Sequence, residues 1–392
     1  MPWMEISPME ERQKFVEAVL AREFSMTELC AQFGISRKTG YKWRARFWSN
    51  GPAGLAELSR APHHQPHKIP PDVAEAVLDA RRQHPTWGPL KLLPWLGRRR
   101  PELVLPAPST VGDLLARHGL VAPGSNRRRR PGSRQSAQLT QPCVANHVWA
   151  IDFKGQFRTG DGLYCYPLTV TDLHSRYVLV CQGFGSTRGQ GVRTALEQLF
   201  REVGLPEALR SDNGSPFCSR GLLGLSKLSV WWTQLGIRHE RIVPGRPDQN
   251  GSHERMHRTL KAETARPPAA NHKAQQKRFD RFRHEFNEER PHQALGRLPP
   301  AMEWNPSVRK YPERLDNPEY PGHFELRRVR RNGVIKFKNR LVFVSETLAH
   351  RSVGLEEVDD GLWSLYYGRL LLARYDETTH QLHPAGGMTW RN

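Results

Sequence analysis

Three carboxylates that lie within or beside apolar stretches constrain this chain more than any other feature. Asp152 lies inside the apolar segment Val148–Phe153, Asp212 follows a short apolar segment around Leu209, and Glu254 lies at the predicted start of a helix. Removing an ionised carboxylate from water costs free energy, which a partner must offset. Three such groups therefore indicate a site for divalent metal ions.

An excess of basic residues narrows the choice of partner. Lys and Arg number 59 against 39 Asp and Glu, which gives a formal charge of +20 and a pI near 10.2. Because each neutralised phosphate releases condensed counterions, this balance favours a polyanion, and nucleic acid is the first candidate. An anionic membrane surface is the alternative, but there is no run of about 18 apolar residues and no basic amphipathic helix. We expect no membrane partner.

The start of the chain and its cysteines bear on the compartment. The first residues lack a charged segment followed by an apolar core, which argues against secretion. The five cysteines are odd in number and widely spaced, without the spacing of a zinc ribbon. These features predict a protein of a reducing cytoplasm, without a disulfide framework.

Residues 1–50 are predicted to form a helix-turn-helix domain. Apolar residues recur at helical spacing from about residue 11, Ser25 and Glu28 have the form of a capping box, and Ser36 is expected to cap a basic helix. That helix would present to the major groove of DNA the side chains of Arg37, Lys38, Lys42 and Arg44. A three-helix bundle with a solvated basic face is the alternative, and Gly40 in mid-helix lowers the helix propensity.

A linker rich in Gly, Pro and His at residues 51–69 precedes a second helical unit at residues 70–122. Asp72, Gly88 and Ser109 are predicted to begin its three helices. Three arginines, at positions 98 to 100, lie shortly before the third helix. This unit is predicted to be a second helix-turn-helix domain, so that the two together read a longer DNA site.

Residues 123–142 are predicted to be a basic linker. They include a run of four arginines, Arg127, Arg128, Arg129 and Arg130. Such runs are usually solvated until a polyanion binds them. We interpret the segment as an interdomain arm that follows DNA phosphates, with a solvated linker of no such role as the alternative.

The pattern changes to strands in the predicted core, residues 143–300. β-Branched and aromatic runs at 147–153, 163–171 and 176–181 are separated by turn sequences and predict an antiparallel meander. Helical spacing at 191–203, 252–263 and 276–289 alternates with a strand at 237–243. The result is a mixed sheet flanked by helices, in which acidic residues at strand ends and on a flanking helix face one crevice.

The C-terminal part is predicted to be a Pro-rich linker, residues 301–323, followed by a small β-barrel, residues 324–392. Short strands separated by Gly-containing turns favour the barrel, and they are predicted at 334–337, 341–344, 353–358, 363–367 and 370–375. Arginines near its start suit DNA, or they protect an exposed strand edge. The whole chain is thus predicted to be a multidomain α+β protein.

The three carboxylates suit phosphodiester chemistry. Two Mg²⁺ ions about 3.5 to 4 Å apart can offset the charge on the phosphoryl oxygens and align the attacking and leaving groups. Mg²⁺ takes oxygen ligands and needs only a few carboxylates together with the substrate phosphate. Each carboxylate also has a structural explanation: an exposed edge for Asp152, a common Asp-Asn-Gly turn for Asp212, and the helix dipole for Glu254.

Four sequence blocks carry a resemblance to a known family. They are residues 149–153, 168–176, 211–217 and 244–251, the last of which leads to Glu254. With these blocks, residues 140–300 resemble the integrase catalytic core shared by retroviral integrases and bacterial insertion-sequence transposases, the DDE group. A helix-turn-helix front and a small β-barrel at the rear are also similar to this family.

The resemblance implies an RNase H-like core in which Asp152, Asp212 and Glu254 are both catalytic residues and ligands of two Mg²⁺ or Mn²⁺ ions. It implies 3′-end cleavage by water and strand transfer by the freed 3′-hydroxyl. The partners would be double-stranded DNA, as transposon ends and target, and further copies of the chain, at least a dimer on paired ends. The location would be the bacterial cytoplasm, in association with the nucleoid.

The third carboxylate has a rival. The spacing from Asp212 to Glu254 is longer than in retroviral cores, and Asp248 lies at the shorter distance. We prefer Glu254 because Gly251 and the following helix match the Gly-x-x-Glu pattern of the family. On this interpretation a DNA-facing surface includes the side chains of Arg246, His253, Arg255, His257, Arg258 and Lys261.

Residues 253–257 also spell His-Glu-x-x-His, the helical motif of zinc metallopeptidases. In that alternative His253 and His257 bind zinc and Glu254 is the general base. The basic, polar surroundings and the lack of an evident third ligand argue against it. A catalytically inactive DNA-binding regulator derived from a transposase is the other alternative.

Overall fold

The structure is a computed structural model that describes residues 7–58, 69–121, 139–219, 221–243 and 246–391, apart from the side chains of residues 247, 248, 386 and 387. The chain divides into two compact units, Met1–Lys68 and Ile69–Asn392, and each is described by itself. The predicted division into seven domains and linkers stays a prediction. The run from Arg127 to Arg130 and the side chain of Asp248 lie outside the described residues.

The first unit contains three helices, α1 (Pro8–Ala21), α2 (Met26–Gln32) and α3 (Arg37–Asn50). The predicted capping box at Ser25 and cap at Ser36 are confirmed, since each hydroxyl accepts a hydrogen bond from the third backbone N–H of its helix. Gly40 is buried where α3 crosses the other two helices. A Cβ atom there would lie 2.5 Å from the Cys30 sulfur and 2.9 Å from the Phe15 ring, so the close crossing requires the glycine despite its low helix propensity.

The second helical unit contains α4 (Pro71–Gln83), α5 (Pro89–Arg99) and α6 (Pro108–Arg117). Its apolar core includes Trp87 and Trp95. Gly88 precedes α5 as predicted. The expected side-chain caps at Asp72 and Ser109 are wrong: each is the second residue of its helix, because a proline at the first helical position starts the helix one residue before it.

A mixed sheet forms the middle of the second unit, as predicted. Its strands are β1 (Val148–Phe153), β2 (Phe157–Arg158), β3 (Tyr164–Asp172), β4 (Val178–Phe184), β5 (Ala208–Ser211) and β6 (Arg238–Arg241). The first three long strands are antiparallel in the order β4, β3, β1, and β5 and β6 continue the sheet parallel to β1.

Helices cover both faces of this sheet. They are α7 (Gly189–Val203), α8 (Lys227–Gln234), α9 (Gly251–Thr264) and α10 (His272–His284), which a π-helical turn at Glu285–Glu289 extends. One apolar cluster joins Trp149 and Ile151 of β1 to α7 and α8. Another joins Cys165 and Val178 to α9 and α10. Four successive residues of β1, Val148 to Ile151, are fully buried, so the strand is covered on both faces, which explains its nearly continuous apolar sequence.

The C-terminal part contains more strands than predicted and an open sheet. They are β7 (Glu325–Arg328), β8 (Val334–Phe337), β9 (Arg340–Phe343), β10 (Ser352–Asp359), β11 (Leu362–Tyr367), β12 (Leu370–Asp376) and β13 (Gln381–Trp390). Five of them pair in the order β13, β12, β11, β10, β7, and β8 and β9 form a separate hairpin. The predicted closed barrel is not confirmed. In the described residues the hairpin covers the sheet instead, with the Phe337 ring 5.0 Å from that of Trp363.

Candidate metal site and nucleic-acid surfaces

Asp152 is positioned by the middle of the sheet. It is the fifth residue of β1 and pairs with Thr169 of the neighbouring antiparallel strand β3. On the other side, β1 pairs in parallel with β5, with Ala150 opposite Arg210. Asp152 and Asp212 each follow this pair by two residues, and they are close enough that the charge of Asp212 raises the pKa of Asp152. The side chain of Asp152 is 25% exposed, so it is reachable at the edge of the core.

Asp212 is positioned by a tight turn directly after β5. Its Oδ1 accepts a hydrogen bond from the Gly214 N–H at 3.0 Å, and Asn213 donates its side-chain N–H to the Ile242 carbonyl at 2.7 Å. A Cβ atom on Gly214 would lie 2.9 Å from the Asp212 carboxylate. The Asp-Asn-Gly turn is therefore a structural turn that also holds this carboxylate in one orientation.

Glu254 lies in the first turn of α9 and is exposed to solvent. It approaches the two aspartates closely enough that its charge, with that of Asp212, affects Asp152. The pKa of Asp152 is raised to about 7, mainly by burial and then by the charges of Asp212 and Glu254. A Phe153 backbone hydrogen bond and the charge of Lys154 partly offset this rise. The three predicted carboxylates thus share one electrostatic site.

His253 and His257 are not on a DNA-facing surface, and this part of the prediction is wrong. Both side chains are buried, at 0% and 1% exposure, with Met256 and Leu260 on the inner side of α9. The apolar spacing of Met256 and Leu260 was the signal that would have placed them there. Burial lowers the pKa of both imidazoles, to about 3 for His253, so they are neutral at physiological pH.

The two histidines converge on one hydroxyl group. The Thr169 Oγ1 atom lies 2.9 Å from His253 Nε2 and 2.6 Å from His257 Nε2, and 3.2 Å from the Asp152 carbonyl oxygen. On its other side, His257 Nδ1 lies 3.6 Å from Asp152 Oδ2. Among the described residues, Asp152, His253 and His257 have the spacing of a possible metal cluster. However, Thr169 Oγ1 occupies the point on which the Nε2 atoms converge, where a zinc ion of a His-Glu-x-x-His site would bind.

A buried ion pair between Arg210 and Glu240, which the sequence analysis did not predict, lies next to the site. Arg210, two residues before Asp212, donates to Glu240 of β6 at 2.9 Å and to the Thr140 carbonyl at 2.6 Å. It also reaches the Gln249 carbonyl at 3.4 Å, just before α9 begins. One guanidinium therefore links the ends of two strands to the segment that leads to Glu254.

The predicted DNA-contacting residues fall into three groups. Those on the helix α3 are all exposed: Arg37, Lys38, Lys42 and Arg44. Those on α9 are also exposed: Arg255, Arg258 and Lys261. Arg246 is partly buried, and Arg127 to Arg130 lie outside the described residues. The basic character of α3 and α9 is therefore available to a polyanion.

The arginines of α5 are used within the protein. Arg98 donates to the carbonyls of Arg297 and Glu289 at 3.2 Å, and Arg99 pairs with the Glu289 carboxylate at 3.1 Å. Arg100 pairs with Glu102. The contacts of Arg98 and Arg99 link α5 to residues 289 and 297, so these two side chains have partners within the second unit.

Family models match the central and N-terminal parts of the chain. Residues 144–247 and 235–300 match two family models, each described as an integrase core domain. Residues 144–300 are therefore similar to integrase core domains. Residues 11–63 match a helix-turn-helix domain and residues 39–115 a homeodomain-like domain. The predicted helix-turn-helix character of the N-terminal region and the predicted resemblance to the DDE integrase and transposase family are thereby confirmed.

Relatives of the integrase core occur in bacterial insertion elements. The chain is 30% identical over 177 residues to an uncharacterized 39.2 kDa protein of insertion element IS476 from Xanthomonas euvesicatoria, with 45% of this chain and 48% of the relative covered. It is 30% identical over 178 residues to an uncharacterized 31.7 kDa protein of IS407 from Burkholderia multivorans, with 45% and 61% covered. The chain thus spans about half to three-fifths of these relatives.

A solved structure of the HTLV-2 integrase catalytic core domain in complex with magnesium is also similar. It matches at 14% identity and a TM-score of 0.31, over 42% of this chain and 99% of that chain. A superposition this distant supports no transfer of residue roles. In the described part of this chain, no helix is both long and apolar enough to cross a membrane.

Proposed function

We propose that this protein is a DNA transposase that binds the ends of its element, cleaves their 3′ ends and joins them to target DNA. The observation that carries the proposal is the shared electrostatic site of Asp152, Asp212 and Glu254, in which burial and two like charges raise the pKa of Asp152 to about 7. A group of carboxylates in this state is stabilised by a bound cation.

The donor set fits Mg²⁺ or Mn²⁺, because all three side chains offer carboxylate oxygens, which these ions prefer. We propose that Asp152, Asp212 and Glu254 hold two ions. When bound, such a pair supplies charge stabilisation for the phosphoryl oxygens and lowers the pKa of an attacking water or hydroxyl.

The residues of the chain would orient this chemistry. The sheet fixes Asp152 from both neighbouring strands, and the Gly214 N–H fixes the Asp212 carboxylate. Glu254 is exposed at the start of α9, one turn before Arg258. The basic side chains of α9 would contact backbone phosphates next to the scissile bond, which positions DNA without reading its sequence. Joining two ends at one target requires at least a dimer.

The proposal is tested by strand transfer. Duplexes that carry the terminal repeats of the element and a supercoiled plasmid are incubated with the protein and Mg²⁺ or Mn²⁺. Asp152→Asn, Asp212→Asn and Glu254→Gln should each lower the rate by at least about 100-fold, since each removes several kcal/mol of charge stabilisation. Binding of the end duplex should be retained in all three.

Two matched variants complete the experiment. Glu202→Gln, at an exposed glutamate of α7, should leave the rate unchanged. Asp248→Asn should also remain active if Glu254 is the third ligand. Loss of activity in Asp248→Asn with retention in Glu254→Gln would reverse that assignment. A wild-type protein that binds ends but transfers none with either ion would instead be a DNA-binding regulator.

A further inference from the structure

We infer that Thr169, His253 and His257 form a hydrogen-bonded network that positions the Glu254 helix against the Asp152 strand. This inference rests on the proposed function, because it assigns the two buried histidines a positioning role for two of its metal ligands. The network joins three elements, since Thr169 belongs to β3, Asp152 to β1, and both histidines to α9.

The single hydrogen of the Thr169 hydroxyl limits the ways in which the network can be hydrogen-bonded. A hydroxyl donates one hydrogen bond and accepts two. Thr169 Oγ1 has three partners, the Asp152 carbonyl oxygen and the two Nε2 atoms. In one arrangement Thr169 donates to the carbonyl and both histidines donate to Thr169. In a second arrangement it donates instead to His257 Nε2, by the shorter contact of 2.6 Å, so that His257 carries its hydrogen on Nδ1 and the Asp152 carbonyl oxygen no longer receives the hydroxyl hydrogen. In a third it donates to His253 Nε2, and His257 donates to Thr169.

The second arrangement suits an ionised Asp152. It directs the His257 Nδ1–H at Asp152 Oδ2, which lies 3.6 Å away, so that a small movement completes the hydrogen bond. Oδ1 then lies outside the network. His253 takes the remaining role as a donor to Thr169 through Nε2, and its buried Nδ1 has no hydrogen-bond partner among the described residues.

The same geometry separates this network from a zinc site. In a His-Glu-x-x-His zinc site the two Nε2 atoms bind the ion. Here a covalently attached hydroxyl lies between them, and both imidazoles are fully buried. Residues that orient a metal ligand by hydrogen bonds typically change metal affinity about 10- to 100-fold when they are replaced.

The strand β3 offers a matched pair of substitutions. Thr169→Val removes the hydroxyl that holds the network. Thr171→Val removes a hydroxyl of the same strand, two residues away, that is buried and has no hydrogen-bond partner in the part of the chain that the structure describes. Both replacements conserve side-chain shape. Differences between them therefore report the hydrogen bonds of Thr169 rather than general repacking.

The primary measurement is Mn²⁺ binding to the metal-free full chain by calorimetry, together with the Mg²⁺ concentration that gives half-maximal strand transfer. Thr169→Val should weaken Mn²⁺ binding and raise that concentration by about tenfold or more. Thr169→Ser, which keeps the hydroxyl, and Thr171→Val should stay within about twofold of the wild type. Circular dichroism and end-duplex binding should be unchanged in all of them.

A second substitution separates the two sides of His257. Asn places its amide N–H near the position of Nδ1, and Gln places it near Nε2. If the contact with Asp152 positions the carboxylate, His257→Asn should retain more Mn²⁺ affinity than His257→Gln. The reverse order would assign His257 to the Thr169 contact alone and overturn the role toward Asp152.

The outcomes distinguish this inference from the proposed function. If Asp152→Asn leaves Mn²⁺ binding unchanged, the metal site itself is wrong. If Asp152→Asn abolishes binding while Thr169→Val matches Thr171→Val, only the positioning network is wrong. Stoichiometric zinc in the purified protein that Thr169→Val or His257→Gln releases would replace the network with a zinc site.

Discussion

The most informative single residue is Asp152, because its surroundings combine burial with two like charges. An ordinary aspartate on a protein surface is ionised well below neutral pH, whereas the pKa of Asp152 is raised to about 7. The carboxylate is therefore ready to exchange a proton for a cation near physiological pH. The charge of Lys154 lowers the pKa of Asp152, but it only partly offsets this rise.

We predict that Mn²⁺ affinity depends on pH through Asp152. Below pH 7 the ion must displace a proton, so the apparent affinity should fall by up to about tenfold per pH unit between pH 7 and pH 5 and level off above pH 8. Calorimetric titrations across this range check it. An affinity that is constant from pH 5 to pH 8 would contradict the raised pKa.

The free energy of unfolding should also depend on pH through Asp152. The folded protein binds the Asp152 proton more tightly than the unfolded chain, so the stabilisation is complete at pH below about 4 and is lost as pH rises through 7. Asp152→Asn lacks this loss. In metal-free buffer the free energy of unfolding of Asp152→Asn, relative to that of the wild type, should therefore increase from pH 5 to pH 8 by an amount on the order of a few kcal/mol. The buried histidines act in the opposite direction below pH 6.5 and cancel in this comparison.

The sequence predicted some of these residues and missed others for identifiable reasons. Asp152 and Asp212 were predicted because a carboxylate in or directly after an apolar strand is visible locally. The histidines of α9 were wrongly placed on the surface, because the basic neighbours Arg255 and Arg258 outweighed the apolar spacing. Arg210 was missed because its partners Glu240 and Thr140 are distant in sequence.

At the scale of elements, α3 is the best-defined candidate for reading DNA. Its capping serine, its buried Gly40 and its exposed basic side chains were all present in the sequence. The pattern also predicted most C-terminal strands to within one or two residues. Closure into a barrel was not predictable in this way, because it depends on whether β7 and β13 pair, and no local pattern encodes that pairing.

We predict that Lys38 of α3 contributes a phosphate contact. Lys38→Ala should weaken end-duplex binding at low salt, and the slope of log affinity against log salt should decrease by about one unit, since one fewer counterion is released. Lys14→Ala, at an exposed lysine of α1, serves as the control. Equal slopes for the two variants would remove Lys38 from the DNA surface.

At the scale of the whole second unit, the docking of the α4–α6 helices on the integrase core is the main feature that the sequence did not reveal. His84 contacts Glu285 at 2.8 Å, Thr86 contacts Glu263 at 2.6 Å, and Trp95 donates its indole N–H to Glu289 at 3.2 Å. These partners lie between 177 and 201 positions apart in the chain, beyond the reach of local patterns. The docking also explains why the arginines of α5 are engaged within the protein.

The contact between Trp95 and Glu289 provides a test of this docking. Trp95→Phe removes the indole donor and Glu289→Gln removes the charge of its acceptor, so each should destabilise the protein. If the two side chains interact in solution, their effects on the free energy of unfolding should be non-additive by about 1 kcal/mol, which is the usual contribution of such a hydrogen bond. Urea unfolding of the four proteins in the cycle measures this coupling.

Glu288, which is exposed beside Glu289, provides the control. The effects of Trp95→Phe and Glu288→Gln on the free energy of unfolding should be additive. Equal coupling in the two cycles would mean that the helical unit is not held on the core by this contact.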